Sequence, residues 1–79
     1  MMNKILITKN SFINLDKVKF IDYFISTNSI KLTYNKNFVR YISIKKDKFN
    51  ECKDYMFRKY TTRLTNKYKV VIDITNYEE

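Results

Sequence analysis

Glycine, proline, alanine, histidine, glutamine and tryptophan are all missing from this chain of 79 residues. Each absence excludes something. Without glycine there is no phosphate-cradling loop and no dinucleotide-binding turn, because both need close approach of the backbone to the ligand. Without histidine the usual proton shuttle and the commonest transition-metal ligand are gone. A single cysteine, Cys52, leaves no internal disulfide, which fits a reducing cytoplasm rather than a small secreted scaffold. The segment Met1 to Thr8 is too short to serve as a signal sequence or a membrane span.

What is present is drawn from a narrow set. Lys, Asn, Ile, Tyr and Phe supply 45 of the 79 residues. Hydrophobic residues make up 44% and run the whole length, so the chain should fold despite its charge. The length implies one domain, 1–79, near the size at which a single core is marginal and a second copy of the chain often helps.

Sixteen Lys and Arg against eight Asp and Glu leave a net charge of +8. Such a field favours nucleic acid, acidic protein faces or anionic lipid, and carries no information about fold. It is uneven. Residues 1–46 hold nine basic and two acidic groups, for +7, whereas 47–79 hold seven and six, for +1. A second stretch without acids runs from Arg58 through Lys69.

With no glycine or proline, asparagine is the next residue able to enter left-handed backbone conformations. Thr27-Asn28-Ser29 and Asn35-Lys36-Asn37 are therefore the expected hairpin corners. Lys4 to Thr8 reads as a strand, Phe12 to Val18 as a strand end passing through an Asp-centred turn, and residues 18 to 26 as further strand. Ile30, Leu32 and Tyr34 alternate with Lys31 and Thr33, the period of a half-buried strand. In Phe38 to Ile44 the polar Arg40 falls on the face of Phe38, Ile42 and Ile44, which a bulge or an edge position would explain.

From Lys46 the period changes. Phe49, Cys52, Met56, Tyr60 and Leu64 share one helical face over about 47–65, with Asp47 as the expected N-cap and Asn66 as the stop. Glu51 and Asp54 early, and Arg58, Lys59, Arg63 and Lys67 late, suit the helix dipole. Tyr68 to Thr75 then alternates Val70, Ile72 and Ile74 inward, which predicts a closing strand, and Tyr77 to Glu79 reads as a frayed tail. The expected fold is α+β: one antiparallel sheet of four to five strands, an amphipathic helix on one face and a C-terminal strand.

Enzyme chemistry is not expected. Cys52 lies on the apolar helical stripe with no histidine to activate it, and no closely spaced acidic loop offers a metal site. No cofactor is implied. The positive signal is basic groups interleaved with aromatics, since lysine and arginine neutralise phosphates while exposed rings stack on unpaired bases. The candidate partner-binding residues are Lys17, Lys19, Lys31, Arg40, Tyr41, Lys45, Lys46, Arg58, Lys59 and Arg63. Within them, Lys31, Tyr41 and Lys45, with Thr33, Ser43 and Phe20 or Phe24, are expected on the sheet face away from the helix. That same face would equally suit a homodimer. Reading of a DNA groove by the helix is disfavoured by Glu51 and Asp54, and membrane binding by the lack of a spare amphipathic segment.

In residue usage, size and lack of a catalytic constellation, the chain resembles small accessory proteins of phages and mobile elements, including anti-CRISPR proteins. The resemblance implies an inhibitor that occupies a nucleic-acid-handling effector complex in the host cytoplasm. Many such inhibitors are acidic mimics of nucleic acid; this chain is basic, so an acidic protein surface, or guide or target nucleic acid, is the implied partner. The alternatives are a small DNA- or RNA-binding regulator and a protein that sequesters a nucleotide signal.

Overall fold

The computed structural model describes residues 4–61 and 70–79. The chain begins with a hairpin. Strand β1 (Lys4–Ile7) turns through Thr8 to Ser11 and returns as β2 (Phe12–Asn14), antiparallel, with Leu6 opposite Ile13. The turn is closed by Thr8, whose amide donates to the Ser11 carbonyl at 2.9 Å and whose Oγ1 accepts the Ser11 amide at 3.0 Å. The hydroxyl closes the turn by a side-chain hydrogen bond, and no residue in it takes a positive φ.

Asn14 then diverts the chain. Its Oδ1 accepts the Asp16 amide at 2.9 Å and starts a 3-10 turn over Leu15–Lys17, with Leu15 and Val18 buried on either side. The next strand therefore leaves the first sheet. Strands β3 (Phe20–Phe24), β4 (Ser29–Asn35) and β5 (Phe38–Ser43) form a separate antiparallel meander. Both corners fall where asparagine placed them. Asn28 holds a left-handed φ of 52°, and Asn35 Oδ1 accepts the Asn37 amide at 2.8 Å. The irregularity inferred from Arg40 is real: the β4–β5 register shifts between Thr33 and Asn35, and β5 is a sheet edge.

Helix α1 (Phe49–Thr61) follows a 3-10 turn over Lys46–Lys48. Asp47 lies inside that turn and does not cap the helix; Lys45 occupies the turn's capping position and makes no side-chain cap bond. Phe49, Cys52 and Met56 are buried and Tyr60 half-buried, as the helical stripe predicts. Leu64, Asn66 and the rest of the expected helix end lie outside the described residues.

The last strand, β6 (Val70–Asp73), buries Val70 and Ile72 and exposes Val71 and Asp73, as its alternation requires. Its partner was not predicted. It pairs parallel with β1, giving a mixed sheet of order β2-β1-β6. A parallel neighbour needs a crossover, and the segment containing α1 is that crossover. The expectation of one sheet of four to five strands therefore gives way to two sheets of three, while the α+β class stands. Leu6, Ile72 and Ile74 from the first sheet side meet Ile30, Leu32 and Ile42 from the second in one cluster with Phe49, Cys52 and Met56.

The expected frayed tail is instead docked. Lys45 donates its amide to the Tyr77 carbonyl at 2.8 Å, Glu79 donates to Ser43 at 3.1 Å, and Ile44 bridges Glu78. Glu78 is buried, and its Oε1 accepts the Lys9 amide at 3.1 Å. Three polar residues at a chain end read as solvent-facing, but their backbone groups complete the edge beside β5.

Candidate binding face

Strand alternation divides the β3-β4-β5 sheet into two faces. Ile30, Leu32 and Ile42 point to the core. The outer face is a grid fixed by the register: Phe20, Thr33 and Val39 in one row; Asp22, Lys31 and Tyr41 in the next; Phe24, Ser29 and Ser43 in the third. Large rings stand in water here, with Phe20 at 63%, Tyr41 at 61% and Phe24 at 40% exposure. Lys31, in the middle, places its Nζ 5.9 Å from the Tyr41 ring centroid, within cation–π range. Strand geometry sets Phe20 and Phe24 about 13 Å apart along β3, and Tyr41 about 10 Å across the sheet.

The predicted residues distribute as follows. Lys31 and Tyr41 share the outer face, and Phe20 and Phe24 both join them. Lys45, exposed, continues the parity of Tyr41 and Ser43 just past the strand. Lys17 and Lys19 are exposed where the chain enters β3. Arg40 is not on this face: it pairs with Leu32 on the core side and is half-buried. Lys46 is exposed in the turn before α1. Arg58 and Lys59 are exposed on α1, which packs against the inner side, so the thickness of the sheet separates them from the outer face. Lys59 lies 5.9 Å from the Tyr55 ring. Arg63 lies outside the described residues.

A second feature is absent from the sequence reading. Between β3 and α1 runs an open groove of about 360 Å³ whose walls include Ile21, Tyr23, Phe57 and Tyr60, with Lys19 and Asp22 along it. The signal for it was Phe57, a large apolar residue set off the buried helical stripe and 61% exposed. At the far end of the helix, Lys4 donates to the Tyr60 carbonyl and its Nζ lies 4.6 Å from the Tyr60 ring centroid, tying β1 to α1.

Behind the groove the core resists ionisation. Burial, reinforced by Glu78 and Glu51, pushes the Cys52 thiol up to about 12, and burial followed by the proximity of Cys52 and Tyr60 raises the Tyr23 phenol to about 12. Both groups are favoured neutral in the fold. Their contribution to stability is therefore intact below the ordinary values of 9.0 and 10.0 and is lost as pH rises from there towards about 12. Urea midpoints should stay level up to about pH 8 and fall above pH 9. At about pH 8 Cys52 should resist a thiol reagent until the chain is unfolded, since the thiolate is the nucleophile. Native labelling at the rate of a free thiol would contradict this placement.

Among the described residues no group of three or more Cys, Asp or Glu side chains is arranged to hold a metal ion, and no helix is long and apolar enough to cross a membrane. No protein family matches the chain, and neither the curated proteins nor the solved structures yield a match.

Proposed function

We propose that this protein is a non-catalytic binder of single-stranded nucleic acid and that the outer face of the β3-β4-β5 sheet is its platform. The observation that carries the reading is three exposed rings, Phe20, Phe24 and Tyr41, on one sheet face with Lys31 among them. Bases stack on such rings with little regard to sequence, and lysines track the phosphates. Asp22 and the short polar Ser29, Thr33 and Ser43 leave the rings standing above their surroundings. The resemblance in size and residue usage to phage and mobile-element accessory proteins supports one extension: the strand bound is guide or target nucleic acid presented by a host effector complex, which the protein inhibits.

The test is fluorescence anisotropy with a labelled oligothymidylate and with a duplex of equal length. If Lys31 and Lys45 each meet a phosphate, the salt slope should be about −1.4, and affinity should fall about 7-fold between 50 and 200 mM salt. The duplex, whose bases are already stacked, should bind more weakly. Equal binding of both would leave only a diffuse charge effect. A stable dimer that shields Tyr41 and excludes the oligonucleotide would assign the face to a second copy instead.

A further inference from the structure

We propose that the core-side surface of the β4–β5 hairpin binds a nucleoside phosphate, with the base on the Phe38 ring and the phosphate on the Arg40 guanidinium. The site lies on the opposite side of the sheet from the outer face. It starts from a charge that the fold leaves unanswered. Arg40 is half-buried, opposite the fully buried Leu32, and among the described residues its side chain makes no hydrogen bond and no ion pair. A guanidinium carries five donors and cannot give up its proton, so partial withdrawal from water without an acceptor is costly.

The hairpin itself holds no acid. From residue 23 to residue 46 there is neither Asp nor Glu. Asp22 belongs to the outer row, Glu51 lies 4.0 Å from Lys48, Asp73 accepts from the Thr75 hydroxyl and Glu78 accepts from the Lys9 amide. An oxyanion from outside is therefore the missing partner, and the planar fork of arginine fits a phosphate with two parallel bonds.

Aromatic chemistry sets the rest of the ligand. Strand alternation puts Phe38, two residues before Arg40, on the same face about 7 Å away. Phe38 is 58% exposed, yet its ring is held, 4.9 Å from that of Tyr34 with the planes tilted by 33°. Tyr34 in turn packs against the core. A ring fixed in this way offers its open side to a base. Lys36, exposed at the hairpin corner, adds a second cation. Ring and guanidinium side by side on one strand specify a flat base joined to a phosphate, carried either by a free nucleotide or by the phosphorylated end of a strand.

The probe is adenosine 5′-monophosphate, titrated into the intact protein and followed by amide resonances. Shifts should centre on residues 34–42, and adenosine or inorganic phosphate alone should bind about tenfold or more weakly. Arg40→Gln should weaken binding about tenfold or more, and Phe38→Ala by a similar factor. Arg40→Lys should restore part of the loss, because the charge remains without the fork. Phe38 is more than half exposed, so its removal should keep the fold, and the adenosine comparison tests the phosphate contact without altering the protein at all. No saturable binding, adenosine bound as tightly as its monophosphate, or indifference to both Arg40→Gln and Phe38→Ala overturns the proposal. So does loss of binding in a Phe20→Ala/Tyr41→Ala double variant, which would give the nucleotide to the outer face. Stronger competition by a 5′-phosphorylated oligothymidylate than by its 5′-hydroxyl form identifies a strand end as the source, and equal competition identifies a free nucleotide. Either result supports the site.

Discussion

Removal of Tyr77, Glu78 and Glu79 is expected to lower the free energy of unfolding by about 4 kcal/mol. Two backbone bonds between separate elements are lost, Lys45 to the Tyr77 carbonyl at 2.8 Å and Glu79 to the Ser43 carbonyl at 3.1 Å. At about 1 kcal/mol each these supply half the effect. The bond from the Lys9 amide to the buried Glu78 carboxylate adds about 2 kcal/mol, because the acceptor is charged. The Tyr77 ring, 5.8 Å from that of Tyr55, adds to this, and the entropy of ordering three residues subtracts from it. Domains of this size hold only about 4 to 12 kcal/mol in total, so the shortened chain should lose a large part of its stability. Urea denaturation followed by circular dichroism measures the change. Glu78→Gln, which keeps an oxygen for the Lys9 amide, should cost much less than Glu78→Ala. A shortened chain within about 0.5 kcal/mol of the parent would mean that the tail is not part of the cooperative unit.

The tail also shows where the sequence ceases to be legible. Alternation in Ile30-Lys31-Leu32 and Val70-Val71-Ile72 assigns each side chain to a face, and the structure agrees residue by residue. Asn28 and Asn35 identify their corners because, with no glycine in the chain, asparagine enters left-handed geometry most readily and, like aspartate, closes an Asx-turn with its side chain. The stripe Phe49, Cys52 and Met56 gives the buried side of the helix. Periodicity carries no statement about which strand lies alongside. That β6 runs parallel to β1, and that β3 starts a second sheet, depends on backbone pairing and on the diversion at Asn14 and Leu15. The docking of Tyr77 to Glu79 is likewise specified by main-chain groups of Ser43 and Lys45, which have no side-chain signature. The candidate face was half legible: Lys31 and Tyr41 followed from alternation, while the alignment of Phe20 and Phe24 with them required the β3–β4 register. Arg40, equally basic, falls on the core side by the same rule. Position on the pleat, rather than charge, separates it from Lys31.

If the outer face stacks bases, Phe20→Ala combined with Tyr41→Ala should reduce affinity for single strands about 100-fold or more. Each ring contributes about 1 to 3 kcal/mol when it stacks on a base, and about 1.4 kcal/mol is a factor of ten. Both side chains are more than half exposed, so their removal leaves no cavity and should shift the unfolding midpoint little. Loss of binding by a folded protein would therefore report the surface itself. Two comparisons separate stacking from other causes. Phe12→Ala removes a ring that is 77% exposed on the other sheet, and binding should be unchanged. Lys31→Gln should flatten the salt dependence by about 0.7 in slope while leaving the preference for single strands over duplex in place. The charge and the rings thus make separable contributions: the first sets how binding responds to salt, the second sets which form of nucleic acid is accepted. Unimpaired binding by the Phe20/Tyr41 double variant, or an equal loss in Phe12→Ala, would remove the sheet face as the platform and leave the net charge of +8 as the sole attraction.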